Sequence, residues 1–497
     1  MRNSLSKTGE KTSGLTKEAA PQEKASESLI SLPAQLRTQR ILSAAALRDW
    51  LSKPKNLGFS NNLDNYFTAI QFIDPSITPE NIANVINSAT NENPDREIFP
   101  VFSSISKQIT ALFQLKESGE TIPVVAINIG GTNSSATFAE VQNCTIKNQK
   151  DLGKAHFRSP ENAEKPLKCT DHINFWEKTI PPEFLDKLKK LIADSPSPLA
   201  VEISLAAPTR NGYVEHLADK ASFKKNPLAP QNETESEKIG QDRSKYPTLV
   251  GSFAGFLEKN GISLPSKFIF AGENDAINVV LGQPNETISQ FKKLKGVGGV
   301  VVGTGFNVAS FGPNGNGWNY EIGHLKLSNP CVLDEEVSSS AGLDLDLESC
   351  ISGKILGDTL QQAIREITPK KSTLRKYIEG LSKDDANALI FNLGFGGEEK
   401  MDHLSIREKT ILSAICSRFA IRAAQYLVAV LKGVSIEMGD ISFFGEGSVL
   451  VNNPKLVKKI NELLGEKLLT IPPQKNDLPP SAKGEIFDAA ARTHWGI

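Results

Sequence analysis

Two turns that echo one another constrain this chain more than anything else in it. IGGTN at 129–133 and GTGFN at 303–307 each set glycine, threonine and asparagine between runs rich in β-branched and small apolar residues. Such runs joined by a short Gly/Asn turn read as β-hairpins, and two hairpins of one design far apart in a chain hint at duplication. Between and around them, strand-like and helical stretches alternate. FWEKTIPPEFLDKLKKLI and LVGSFAGFLEKNG read as helices, PLAVEISLAAP as a strand, and FIFAGENDAINVVLG as a strand running into a helix. The predicted fold class is therefore α/β.

Beyond residue 360 the pattern is mainly helical, notably ILSAICSRFAIRAAQYLVAVL, until the strand-like DISFFGEGSVL, a helix from Pro454 and a helical tail at DAAARTHWGI. Ahead of the first hairpin, residues 1–28 hold few large apolar side chains and are expected to form a flexible tail. Residues 29–120 show helical spacing of apolar residues and read as a helical N-terminal extension. The chain then divides into 121–272, with the first hairpin, and 273–497, with the second. The charged stretch 219–245 reads as an excursion over the surface.

Charge narrows the ligands. The 56 Lys and Arg against 57 Asp and Glu give a net charge of −1, and the first 120 residues hold thirteen basic against thirteen acidic side chains. Neither balance suits nucleic acid, so small ligands are expected. Five scattered cysteines with no CxxC pair suggest neither a disulfide framework nor a cysteine-rich zinc site. No apolar run approaches the roughly 20 residues of a membrane helix, and no secretory pattern opens the sequence, so no membrane and a cytoplasmic location are expected. Oligomeric state stays open, a homodimer included.

Glycine-rich turns offer backbone N–H groups to phosphates with no side chain in the way, although either turn alone could be an ordinary tight turn. GxxxxGK[ST] and GxGxxG are both absent, so a nucleotide site here is of another kind. In GENDAIN, Asp275 stands where a strand meets a helix; it could cap that helix, or accept a hydroxyl proton as a general base. WNYEIGHLKL sets Glu321 three residues before His324, and LDLESCISGK carries Glu348. Carboxylates and an imidazole suit a ligand whose hydroxyls each need a donor and an acceptor. His324 could equally be structural, and nothing at ligand spacing supports a metal there.

In this order INIGGTN, ISLAAPT, GENDAIN, VVVGTGFN, EIGH, LESCISGK and FFGEGSVL resemble the motif series of hexokinases and ROK sugar kinases, over about 123–497. The resemblance implies the actin-like ATPase fold, two RNase H-like lobes closing over a sugar and ATP with Mg2+. It implies a glucokinase-like enzyme in which Gly130, Gly131, Thr132 and Asn133 form the first phosphate motif and Gly303, Thr304 and Gly305 the second. By the same carry-over Asp275 is the catalytic base, Asn274, Asn307, Glu321, His324 and Glu348 hold the sugar, and Gly445, Glu446 and Gly447 belong to the adenosine motif. Ser204 falls on the small-lobe strand facing the sugar.

Two departures stand out. The family has Asp where this chain has Asn128, which keeps the shape but removes a charge that helps hold hydrated magnesium. The ROK zinc motif is missing, so no structural zinc is expected. The alternative to an active kinase is a sugar-binding pseudokinase or regulator on the same fold.

Overall fold

The computed structural model describes residues 39–46, 48, 59–91, 93, 96–130, 133–156, 171–194, 199–205, 207, 209–210, 213–214, 246–262, 269–397, 399–472 and 478–495. The expected tail at 1–28 and the excursion at 219–245 lie outside these residues, as do Gly131 and Thr132.

After a helical segment at 39–46 the chain forms α1 (Phe59–Ala69), α2 (Pro79–Thr90), β1 (Val101–Ser104) and α3 (Ser106–Ser118). The first hairpin is β2 (Thr121–Ile129) with β3 (Asn133–Gln142), followed by β4 (Thr145–His156). Helices α4 (His172–Thr179) and α5 (Phe184–Asp194) lead to β5 (Ala200–Leu205), the short pair β6 (Thr209–Arg210) and β7 (Tyr213–Val214), α6 (Leu249–Lys259) and β8 (Ile269–Asn274). These strands make one sheet in the order β4-β3-β2-β5-β8, antiparallel across β4-β3-β2 and parallel across β2-β5-β8.

From β8 the chain turns directly into α7 (Asp275–Leu281) and α8 (Pro284–Lys292), and then builds the second hairpin, β9 (Gly296–Val302) with β10 (Phe306–Phe311), and β11 (Asn316–Asn319). Much later come β12 (Ile441–Glu446) and β13 (Leu469–Thr470). The second sheet runs β1-β11-β10-β9-β12-β13. Leaving aside the edge strand β1, it repeats the first: three antiparallel strands, then two added in parallel. The echo between the two turns is thus a repeat of whole lobes.

Val124–Ile127 and Ala200–Leu205 are buried on both faces, as central strands with parallel neighbours require. One face of the first sheet packs on α4, α5 and α6, where Trp176 donates Nε1–H to Ser252 Oγ at 2.7 Å and stacks edge-on against Phe253. The opposite face, with Val124, Ala126 and Ala200, meets α3, α7 and the C-terminal helix in a core that also holds Val297, Ala309, Phe311 and Phe444 of the second sheet. The two lobes therefore share a hydrophobic core where they join.

The second lobe carries α9 (Val332–Ala341), α10 (Leu347–Ile351), α11 (Leu356–Ile367), α12 (Thr373–Glu379), α13 (Lys383–Gly394), the 33-residue α14 (Ile406–Met438), α15 (Ser448–Val451) and α16 (Pro454–Leu464); α17 (Pro480–Trp495) ends the fold. The N-terminal helical extension is packed into this body: Leu63, Tyr66, Ile82 and Ile86 of α1 and α2 share a core with Phe419, Leu427 and Val434 of α14. By length and composition α14 could cross a bilayer, a correction to the sequence reading, but 72% of its most apolar window is buried inside the fold. Arg422, in its middle, is itself buried, forming a two-pronged pair with Asp334 at 2.6 and 3.2 Å while lying 4.1 Å from the Phe72 ring centre.

Candidate active site

The ends of β8, β9, β10 and β12 meet where the lobes face each other. Asn274, the last residue of β8, is buried, and its Oδ1 accepts the Ala276 N–H at 2.9 Å, so Asn274 supplies the cap of α7. Asp275 occupies the first helical position, where the partial positive charge of the helix terminus favours a carboxylate, and it is partly exposed. The sequence left open whether Asp275 caps this helix; Asn274 holds the cap position, and Asp275 Oδ1 accepts the same Ala276 N–H at 2.9 Å.

Three polar side chains of the second lobe form one connected group with Asn274 at the end of β8 in the first sheet. Asn307 of β10 directs Nδ2 to Asn319 Oδ1 at 2.7 Å, Glu321 Oε1 at 2.9 Å and, at a long 3.4 Å, Asn274 Oδ1. Asn319 Nδ2 also donates to Glu321 Oε1 at 2.7 Å. Glu321 takes the left-handed conformation, φ 50°, as the chain turns into the short 3-10 segment Ile322–His324. Strain of that kind at a buried non-glycine residue is retained where the surroundings over-determine it, often at a ligand site.

His324 follows, 3.8 Å from Glu321 Oε2 and 3.8 Å from Asp346 Oδ2. Burial alone would lower its pKa, but Asp346, Glu348 and Glu321 together hold it above the usual histidine value. Asp346 also accepts Lys354 Nζ at 2.7 Å and caps α10 through Ser349, and despite its burial its carboxyl is held down to about 2 by His324 and Lys354. Asn274, Asn307, Glu321, His324 and Glu348 thus come together, and Asn319, Asp346 and Lys354 join them unannounced by the sequence reading.

Glu348 has a second task. Its Oε2 accepts the Phe306 N–H at 2.8 Å, and a side chain on Gly305 would bring Cβ within 2.8 Å of that oxygen. Ser352 Oγ donates to Thr304 O at 2.9 Å, and the Gly353 N–H to Gly303 O at 2.9 Å. The glycine turn 303–305 is therefore pinned by its carbonyls to the end of α10. On its other side Gly303 faces Gly447 Cα and Ser448 N, each 3.9 Å from where its Cβ would be. Gly447 has φ 97°, and a side chain there would strike the backbone of Val302. The two glycine turns of the second lobe thus lie back to back. In the first lobe Gly130 donates to Asn133 O at 2.9 Å, and Asn133 is exposed at the start of β3.

Elsewhere the sequence-based assignments sit differently. Gly445 is walled in by Ile471, Leu450 and Leu469. Glu446 turns its carboxylate to α17, accepting the Ser481 N–H at 2.5 Å and Oγ–H at 2.7 Å. Burial, opposed by those hydrogen bonds and reinforced by Asp275, pushes its pKa up to about 7. Ser204 is buried on β5 directly beside Asn128 of β2, apart from the Asn307 group. Asn128 Nδ2 donates to Glu485 Oε1, on α17, at 2.6 Å. Glu485 has no exposed surface; burial raises it to about 8, with Asn128 and Ser204 opposing and the charges of Glu446 and Asp275 adding to the rise. No local signal marked Glu485, which lies in a stretch that reads only as a helical tail.

Among the described residues no three acidic, histidine or cysteine side chains converge to wrap a bare metal ion. Mg2+ keeps several of its waters and is bound by few carboxylates, so the relevant test is for acceptors of those waters. Glu485 Oε2 and Ser204 Oγ are fully buried with no hydrogen bond of regular geometry beyond their approach to each other, and as acceptors they fit that requirement. A cavity of about 850 Å3 beside α15, α16 and β13, with Leu450, Val457, Leu469 and Ile471 among its walls, includes neither the glycine turns nor Asp275.

No protein-family model matches the chain, and no curated protein matches its sequence. Solved structures do. Hexokinase from Schistosoma mansoni complexed with glucose superposes with a TM-score of 0.57 at 14% identity, covering 85% of this chain and 98% of that one. A second hexokinase structure gives 0.57 at 15% identity, covering 92% and 100%. Likeness at such identities defines the fold: this chain has the two-lobed, actin-like ATPase architecture found in hexokinases.

Proposed function

We propose that the chain is an ATP-dependent hexose kinase, with glucose as its sugar and the cytoplasm as its compartment. The observation that carries this reading is the junction at Asn274–Asp275. Asn274 caps α7 and reaches Asn307, which is bonded to Glu321, so a carboxylate at the start of the helix adjoins a dense group of hydroxyl-binding side chains. Glucose bound to the structurally similar S. mansoni hexokinase favours that sugar.

In this mechanism Asn274, Asn307, Glu321, His324 and Glu348 hold the hexose, and raised protonation of His324 makes it a donor to a sugar oxygen. The turns at Gly130–Asn133 and Gly303–Gly305 offer backbone N–H groups to the nucleotide phosphates, with Gly447 backing the second. Asn128, Ser204 and Glu485, where β2, β5 and α17 meet, would hold the water shell of Mg2+ bound with ATP, which would supply positive charge to the phosphates. Asp275 takes the proton of the attacking hydroxyl as the terminal phosphate transfers in line. Lobe closure about the shared core excludes water and aligns the reactants.

A second reading, a sugar-binding pseudokinase, is favoured by the amide at 128 and by carboxyls at 446 and 485 raised to about 7 and about 8, which leave this part of the cleft weakly charged near neutral pH. Purified protein incubated with ATP, Mg2+ and a panel of hexoses separates the two. Sugar-dependent ADP release supports the kinase; calorimetric sugar binding without ADP release supports the pseudokinase.

A further inference from the structure

We infer that Glu485 supplies, from the C-terminal helix, the carboxylate that β2 lacks at Asn128, and that the Asn128–Glu485 pair acts as one unit positioning the hydrated divalent cation of the bound nucleotide. The inference rests on the kinase reading and adds to it a residue that no sequence motif indicated.

Three observations converge. Asn128 Nδ2 spends a hydrogen bond on Glu485 Oε1 at 2.6 Å, so the carboxyl group missing at the end of β2 is found one hydrogen bond further on, where an arriving cation would favour its ionised form. Glu485 is wholly buried, and among the described residues its Oε2 and the equally buried Ser204 Oγ beside Asn128 have no hydrogen bond of regular geometry, their only polar neighbour at that point being each other. A buried carboxyl with a poorly satisfied acceptor is costly, and an apolar side chain in its place would make the fold more stable. Finally, the position is rigid: Gly484 lets α17 lie so close to α7 that any side chain there would strike Asn278 O, and Gly282 does the same against Pro480 O. Glu485 is thereby held in fixed relation to Asp275, the first residue of α7.

The charged groups near Glu485 are Glu446 from β12 and Asp275 from α7, and both are acidic. Asn128 from β2 and Ser204 from β5 contribute neutral polar atoms. Such a surround favours a cation over an anion, and it makes Asn128→Asp alone an unfavourable change, because it would set a second carboxyl against Glu485. The charge is therefore expected to move only when both positions change.

The test is calorimetric binding of the non-hydrolysable analogue AMP-PNP to the full chain, with Mg2+ and with EDTA, together with Mn2+ titration of the protein–AMP-PNP complex by electron paramagnetic resonance. Outer-shell partners of a metal contribute about 10–100-fold to its affinity. Glu485→Gln should therefore weaken Mn2+ by about that factor and remove most of the Mg2+-dependent gain in AMP-PNP affinity, leaving affinity in EDTA unchanged. Asn128→Asp alone should bind Mn2+ no better than the parent, whereas Asn128→Asp with Glu485→Ala should recover it. Parental Mn2+ affinity in a folded Glu485→Gln variant overturns the inference while leaving the kinase reading intact. No AMP-PNP binding by the parent chain under either condition overturns both. Should Glu485→Gln not fold, the double variant decides: folded and Mn2+-binding supports the inference, folded without Mn2+ binding refutes it.

Discussion

Asn307→Ala tests the polar group on which the sugar site is built. The amide nitrogen makes two short hydrogen bonds, to Asn319 Oδ1 at 2.7 Å and to the carboxylate Glu321 Oε1 at 2.9 Å, plus one too long at 3.4 Å to count for much, while Oδ1 accepts the adjacent Val308 N–H at 2.7 Å. A hydrogen bond to a neutral partner is worth about 0.5–1.5 kcal/mol and one to a charged partner about 1.5–3 kcal/mol. The two short bonds donated by Nδ2 alone predict a loss of roughly 2–4.5 kcal/mol, since Asn319, Glu321 and Asn307 are all nearly inaccessible to water that could replace the amide. Asn319 Nδ2 still reaches Glu321, which keeps the loss from running higher. Hydrogen exchange of the β9–β11 amides, read beside chemical denaturation, measures it locally and globally. Hexose affinity should fall in Asn307→Ala by more than in Asn319→Ala, since Asn319 is assigned no direct contact with the sugar and acts by holding Asn307 and Glu321. A cost below about 0.5 kcal/mol, the scale of ordinary surface changes, would refute the reasoning.

Glu446, raised to about 7, gives stability that is fully present below about pH 4.5, its ordinary value, and is lost as pH rises through 7, because the unfolded chain ionises first. Relative to the parent, Glu446→Gln should therefore gain roughly 3 kcal/mol between pH 4.5 and 8; urea denaturation at the two pH values checks this, and parallel profiles would contradict it. Arg422→Met strands the buried Asp334 and should cost roughly 3–5 kcal/mol, much of it regained in the double variant with Asp334→Leu, as thermal denaturation of the single and double variants would report.

Much of the architecture could be read ahead because local chemistry and tertiary structure agree there. The Gly-Thr-Asn turns sit between β-branched runs and became the hairpins β2–β3 and β9–β10, and GENDAIN became a strand running into a helix. Glu321, His324 and Glu348 were legible because their motifs stand together and face one cleft. What escaped depends on partners distant in sequence. Phe102 and its neighbours gave no sign that β1 would pair with β11, since an edge strand of four residues has no periodicity to detect. Arg422 made α14 look less apolar than its buried surroundings make it. Glu485 is invisible locally: a glutamate in a helical tail becomes informative only when α17 lies across β2 and brings it against Asn128. Glu446 likewise reads as part of a glycine motif until Ser481 is found holding it.

The most direct measurement compares hexose-dependent ADP release by the parent chain and by Asp275→Ala, with glucose binding followed by calorimetry in both. The parent should release ADP only when a hexose is present, and Asp275→Ala should still bind glucose while turning over at least about a hundredfold more slowly. Near-parental turnover in Asp275→Ala, or a parent that binds glucose yet releases no ADP, would contradict the account.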